Sequence, residues 1–370
     1  MPENTTTSTS KRRNPVTGIK PDTGWAWIVL FGSFGAHVVN GCFLYCSGIV
    51  HAALLERFEQ SVTFTSWTTS LAVCLMASAG PLASVSIYRF NCRITTVIGG
   101  LMITTGCLAS TGSGITHSAA VVAVGFAFDK KRNFASGVAA SGVGIGILFL
   151  APAITAAKHS YGYEGFFIIM AGIGFHQILF GIMLKPLYLE NRSKYMQINV
   201  TDKRQRLNYT TKCLSNFKIL TNKSILCLCI SILCWTLGVF LVFLHLPVYS
   251  LSKGTTPMEV SFMLGLTGAC GCFSRMVTGL AANSKNVNEL VVYSGSFVLL
   301  GIVSLLLPLY GATYGGQLVF AAVLGMYSGN CYGILSSINI MFVGIENLAA
   351  SYGVEMFVHG LGALVGPPIG

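Results

Sequence analysis

Arg275 is the residue whose position is hardest to reconcile with an inert role. It sits in the stretch FSRMVTG, Phe273 to Gly279, inside an apolar run. A charged side chain in the middle of such a run costs about 3 kcal/mol on insertion scales. It needs a partner: an acid, backbone carbonyls, or a carboxylate on a bound solute. A guanidinium suits the last of these, because its planar fork matches a carboxylate with two parallel hydrogen bonds. The inert reading is an arginine that snorkels to the cytoplasmic side. Glu355 and His359 lie four residues apart in a later apolar run, so they share one face of a helix. They are candidates for taking up a proton or for acting as counter-ion to Arg275. The inert reading is a pair at a helix end, since Glu346 and Asn347 mark a polar edge nearby. His37 and Asn40 in the first apolar run, and His245 in a later one, either line a path or are packed and hydrogen-bonded.

Other chemistries find little support. No nucleophile is spaced with a base, so an enzyme is not expected. The twelve cysteines are scattered through apolar segments without zinc-site spacing; they read as reduced packing residues, and no metal or cofactor is expected. Gly142, Gly144 and Gly146 form GxGxG, but no strand precedes it, so it is not a dinucleotide loop. With Gly137 these glycines allow close helix contact.

The elements that must position these side chains are membrane helices. Hydrophobic residues make up 53% of 370 and charged residues 9%, against about 25% charged in soluble domains. Several runs exceed the ~18 apolar residues of a spanning helix, and the alternation of a β-barrel is absent. The fold class is an all-α polytopic membrane protein. The net charge of +11 would raise nucleic-acid binding in a soluble protein; here it reflects positive-inside bias in the tail and connections. The lipid bilayer is therefore the expected partner and nucleic acid is not.

Residues 1–24 read as a disordered cytoplasmic tail. Residues 25–187 hold a first helix bundle, 188–223 a basic cytoplasmic loop, and 224–370 a second bundle. Spans are expected near 25–48, 64–88, 94–113, 118–128, 134–157, 165–187, 224–248, 257–282, 288–309, 315–343 and 349–370. One of them is a problem. Arg89 and Arg93 should be cytoplasmic, and so should Lys130, Lys131 and Arg132, so an even number of crossings must separate them. Residues 94–128 are too few for two spans of about 20 residues and a turn. The stretch before the second cluster, Ser118 to Phe128, would span roughly 16 Å as helix, about half a bilayer core.

Two bundles joined by a basic loop match the layout of major-facilitator transporters, which hold substrate near the midplane between two repeats. The motifs point to one family within that layout. Asp22-Thr23-Gly24-Trp25-Ala26-Trp27 resembles the DGGW[GA]W signature that opens the first helix of monocarboxylate transporters, with Thr23 for glycine. The run from Ala127 through Lys130, Lys131, Arg132 and Gly137 to Gly142 resembles their second signature, YFxKRRxLAxGxAxxG, departing at Ala127 and Phe134. Gly80-Pro81 with Arg89 to Arg93 looks like the family's second-to-third loop, and Gly360 to Gly370 like its eleventh helix. The resemblance covers nearly the whole chain from Pro21.

The resemblance implies a major-facilitator fold with two six-helix repeats, here lacking most of helix four, the end of helix eleven and helix twelve. It implies a plasma-membrane secondary transporter, a symporter or facilitator working by alternating access on a small carboxylated organic solute. The solute would meet Arg275, Tyr45, Asn40 and His37, with Glu355 and His359 as proton or counter-ion candidates. Asp22, Gly24, Trp25, Trp27, Lys130, Lys131, Arg132 and Gly137 would set topology. The proton-coupled lactate carriers have an aspartate where Gly271 stands and a lysine where Tyr45 stands, so lactate–proton transport is not the expectation. A single-span immunoglobulin-type ancillary subunit is a further implied partner. The competing reading is a non-transporting truncated isoform or fragment that misfolds or associates with full-length protein.

Overall fold

Inside a bilayer each backbone polar group must be satisfied within the chain, which leaves helices as the element available to these apolar runs. A computed structural model describes residues 18–58, 62–106, 108–201, 217–284 and 286–369; most of the expected tail and the middle of the basic loop lie outside them. The first half consists of α1 (Gly24–Phe58), α2 (Val62–Ser78), α3 (Gly80–Arg89), α4 (Cys92–Thr104), α5 (Ala109–Ala127), α6 (Arg132–Ile145) and α7 (Ala151–Met183). α2 and α3 form one crossing, interrupted at Ala79 where Pro81 removes a backbone donor from the helix ladder. α6 runs through a wider π-type turn, Gly146–Leu150, into α7, which folds back at Gly162, where φ is +65°. The expected break between 157 and 165 is therefore a glycine turn.

A helix in the basic connection, α8 (Tyr188–Thr201), leads towards the second half: α9 (Lys223–Ser252), α10 (Pro257–Ala282), α11 (Glu289–Tyr310), α12 (Tyr314–Ser328), α13 (Asn330–Val343) and α14 (Leu348–Ile369). α10 opens with a capping box, Thr256 and Glu259 each bonding the other's backbone N–H. α12 and α13 make one crossing broken at Gly329. Among the described residues, nine helices are long and apolar enough to cross a membrane.

The structure does not confirm the expected loss of most of the fourth helix. α4 has 13 residues and α5 has 19, about 20 Å and 28 Å of helix, with a turn between them. The deficit is shared between the two helices at their far ends. Polar Ser110 to Ser118 hides this in the sequence, but those residues are helical because α5 is enclosed by protein: Gly112 through Ala127 are buried except His117. α14, the last described helix, has 22 residues, about 33 Å.

The ends of these helices gather the basic residues on one face. Asp22 N–H donates to Ala127 O (3.0 Å), and Asp22 Oδ2 accepts the N–H groups of Asp129 (3.2 Å) and Lys130 (3.1 Å). Lys131 lies over the Trp27 ring, Trp27 packs edge-on against Phe128, and Lys185 sits 3.7 Å from the Trp25 ring centre. The two signature motifs are thus one interlocked unit. Arg132 donates to Gly125 O and to the Asp129 carboxylate. Beside them, Glu190 of α8 accepts the Cys92 N–H at 2.7 Å, and Lys194 donates to Phe90 O at 2.9 Å. Burial pushes the Glu190 carboxyl up, while Lys194 and the backbone donors pull it down.

Cysteine accessibility checks this arrangement. Arg93→Cys and Asp129→Cys should react with an impermeant maleimide only after the membrane is opened, and Ser160→Cys in intact cells. Opposite sidedness for positions 93 and 129 would break the α4–α5 pair.

Candidate functional site

The two halves meet along seams of small residues. A Cβ on Gly137 of α6 would stand 3.0 Å from the Gly279 Cα of α10, and one on Gly144 only 2.8 Å from Gly268 O. α3 meets α14 in the same way at Gly80 and Gly353. Such contacts let backbones approach closely where lipid offers no hydrophobic drive. Towards the basic end the seam is hydrogen-bonded. Asn133 donates to Ala282 O (2.9 Å) and to Glu289, and accepts from Ser337. Ser136 meets Ser336 at 3.2 Å, and both Tyr88 and Ser193 donate to Glu346 O, at 2.9 and 3.0 Å.

Behind this seal lies a cavity of about 140 Å³, close to the size of engineered apolar cavities that accept benzene. α1 contributes His37 and Asn40, α5 contributes His117, and α6 a wall of Ser136, Ala139, Ala140 and Val143. From the other half come Phe240 of α9, Arg275 of α10, Tyr332 of α13, and Met356 and His359 of α14. The cavity is therefore shared between the halves, mostly apolar, with its polar groups at a few points.

Arg275 is half-buried and donates from Nε to Gly329 O at 3.4 Å. No carboxylate lies within ion-pairing distance of it among the described residues. The glycine break between α12 and α13 is what admits it: a Cβ on Gly329 would collide with the guanidinium. Gly271, one turn earlier on α10, packs against α12, its Cβ position 3.0 Å from Gly325 O and 3.9 Å from Arg275 Nη1. An acidic side chain there would be within reach of the arginine; glycine supplies none.

The other expected residues divide. His37 Nδ1–H donates to Ser33 O at 2.7 Å, and the ring packs edge-on against His117 with ring centres 5.0 Å apart. Asn40 Oδ1 accepts the Ser113 hydroxyl at 2.6 Å. His359 reaches the cavity and meets the Tyr332 hydroxyl at 3.2 Å. Glu355 does not line the cavity. It is fully buried on α14 and accepts from Asn339 Nδ2 at 2.8 Å, and no ion pair joins it to Arg275 among the described residues. Tyr45 falls in α1, but its side chain lies outside the described residues. His245 is on α9, away from the cavity. Gly137 sits at the α6–α10 seam, Gly24 at the open start of α1.

Sequence reasoning missed His117, Tyr332 and Tyr352. His117 Nε2 and the Tyr352 hydroxyl are 3.3 Å apart across the two halves. The available signal was a histidine within an intramembrane run, discounted because the run looked too polar to span. Among the described residues, no group of three His, Cys, Asp or Glu is placed to hold a metal ion.

A cavity shared by two helical bundles, with hydrogen bonds joining the halves at the basic end, is a candidate site for a small molecule. The sequence profile described as Major Facilitator Superfamily matches residues 29–367. Monocarboxylate transporter 4 of Gallus gallus is 25% identical, covering 95% of this chain and 77% of that relative. Monocarboxylate transporter 12 of Xenopus laevis is 24% identical over 94% of this chain and 82% of its own length. Among solved structures, the human organic anion transporter MFSD10 superposes with a TM-score of 0.68 at 13% identity, covering 93% and 92% of the two chains. The proton:xylose symporter XylE does so with a TM-score of 0.58 at 11% identity, covering 93% of this chain and 95% of that one.

The Glu355–Asn339 contact is open to a double-mutant cycle. Asn339→Leu should lower stability by about 1–3 kcal/mol, because it strands a buried acceptor. Adding Glu355→Met should recover most of that loss in thermal unfolding of the detergent-solubilised protein. Simple additivity of the two changes would show that the contact carries no coupling.

Proposed function

The chain belongs to the Major Facilitator Superfamily, and from that premise we propose that it carries a small monocarboxylate across the plasma membrane by alternating access. The observation behind this reading is Arg275: a guanidinium facing a cavity between the two halves, with one backbone acceptor and no carboxylate partner among the described residues. A solute carboxylate would supply the missing charge in bidentate form, and an uncharged analogue would leave it unmet. The names of the monocarboxylate-transporter relatives agree with a carboxylated solute.

His37 and Asn40 would line the solute's path opposite Arg275, with Tyr45 further along α1. Glu355 and His359 are the protonatable groups closest to hand on α14, of which His359 touches the cavity. Gly271 offers no acid beside the arginine, so the solute moves without the relay of the lactate carriers. An immunoglobulin-type single-span subunit is part of the same proposal, as a lipid-side partner for delivery to the surface. The non-transporting alternative drew on a lost fourth crossing; the 19-residue, protein-enclosed α5 at that place supports the transporting reading. Turnover would require the Asn133, Ser136 and Tyr88 contacts at the basic end to break as the cavity opens to the cytoplasm.

Arg275→Lys keeps the charge but loses the fork, and should lower uptake of labelled monocarboxylates about tenfold or more at equal surface expression. Arg275→Gln should abolish uptake, and the corresponding amides should not be carried by any form. Undiminished uptake by Arg275→Gln would sink the reading.

A further inference from the structure

The first half falls short of the bilayer at one place. α4 lies antiparallel to the second part of α7, with Thr96 against Gly181, Gly100 against Ile178 and Ile103 against Gly174. That register sets the end of α4, at Thr104, level with about Gly174. α7 continues past it through residues 163–173, about 16 Å of helix, to the turn at Gly162. Exposed Tyr161 and Glu164 mark that turn as the interface opposite the basic end. The α4–α5 turn therefore stops about half a hydrocarbon core short of the interface. Among the described residues nothing covers the gap. Thr105, Gly106 and Leu108 are exposed, and so are Leu101 below them and Phe167 and Ile168 on the α7 face above. The backbone here does not suit lipid. Leu108, which precedes α5, sits in the left-handed region at φ +53°, and no side chain caps the helix. The first amides of a helix have no partner within it. Irregular backbone facing hydrocarbon leaves such groups unmet, which membrane proteins do not tolerate. The hydroxyls of Thr104 and Thr105 bond back to Gly100 O and Leu101 O, so they leave those amides unserved.

We propose that the outer leaflet thins at this notch, so that lipid headgroups and their water descend beside α7 and hydrogen-bond the α4–α5 turn. The partner of this surface is the bilayer itself, and the consequence is a preference for thin membranes. The cost of mismatch grows with each ångström of excess thickness, and a thick bilayer presses acyl chains against the open turn. α4 cannot slide outward to relieve this. Its other end is tied at the basic face, where Glu190 accepts the Cys92 N–H and Lys194 donates to Phe90 O. A partner's spanning helix is a poorer occupant, because its backbone groups are already bonded internally and it offers the turn apolar side chains. The inference is independent of the solute and of Arg275.

The test reconstitutes the wild-type protein in phosphatidylcholine bilayers whose monounsaturated chains run from fourteen to twenty-two carbons, and follows thermal unfolding in each. The unfolding midpoint should be highest at fourteen or sixteen carbons and several degrees lower at twenty-two. A midpoint highest at eighteen carbons or more, or one indifferent to chain length, overturns the proposal. A second readout locates the thinning. In a variant whose native cysteines are replaced, Thr105→Cys should react with an impermeant maleimide added outside intact cells nearly as fast as Ser160→Cys. Ile98→Cys, two turns deeper on the exposed side of α4, should stay unreactive. Protection of Thr105→Cys equal to that of Ile98→Cys contradicts the proposal. Should the cysteine-free variant fail to fold, the chain-length series on the wild type retains the power to refute.

Discussion

A guanidinium inside a bilayer must be shielded from lipid and given acceptors, and much of this structure follows from that requirement. The charge costs about 3 kcal/mol at the centre of an isolated span, so Arg275 can exist only where other helices cover it. It enters the space left at Gly329, and the α12–α13 crossing breaks at that residue. It faces a cavity that α1, α5 and α6 close from the other half. If the halves separated on all sides the arginine would meet lipid. The bundles must therefore stay apposed on at least one side of it throughout any working cycle.

That demand explains the character of the seams. Gly137 against Gly279, and Gly144 against Gly268, bring backbones together without interlocking side chains. Such surfaces can rock over one another. The directional contacts are instead concentrated at the basic end, where Asn133, Ser136, Tyr88 and α8 join the halves by hydrogen bonds. Each of these bonds can be exchanged for bonds to water when that end opens, so the net cost of breaking one is modest, about 1 kcal/mol. A smooth hinge with a polar clasp is what alternating access asks of a two-bundle fold.

Much of this was legible in the sequence. Apolar runs, basic connections and two motifs placed most of the crossings, and the charge in FSRMVTG marked Arg275 for the site. The failures have separate physical causes. α5 reads as too polar to span because span-finding assumes that a helix faces lipid, whereas α5 is enclosed by its neighbours and is free to carry Ser113, Thr116 and His117. The discounting of that helix also concealed His117. Glu355 was paired with His359 by a spacing argument that is sound for one helix but silent about depth. The turn between them takes His359 to the cavity, while Glu355 stays buried against Asn339. The interlocking of the two signatures through Asp22, Trp27 and Lys131 was not visible either, since residues more than a hundred positions apart show no mutual spacing.

The central claim is that Arg275 holds the carboxylate of a solute lying between the halves. The most direct measurement is a structure of the protein in lipid nanodiscs, determined by electron cryo-microscopy with a transported acid present. The account predicts ligand density in the cavity, with both carboxylate oxygens about 2.8 Å from the Arg275 guanidinium. Ligand density elsewhere, with Arg275 still bonded only to the Gly329 carbonyl, would contradict it.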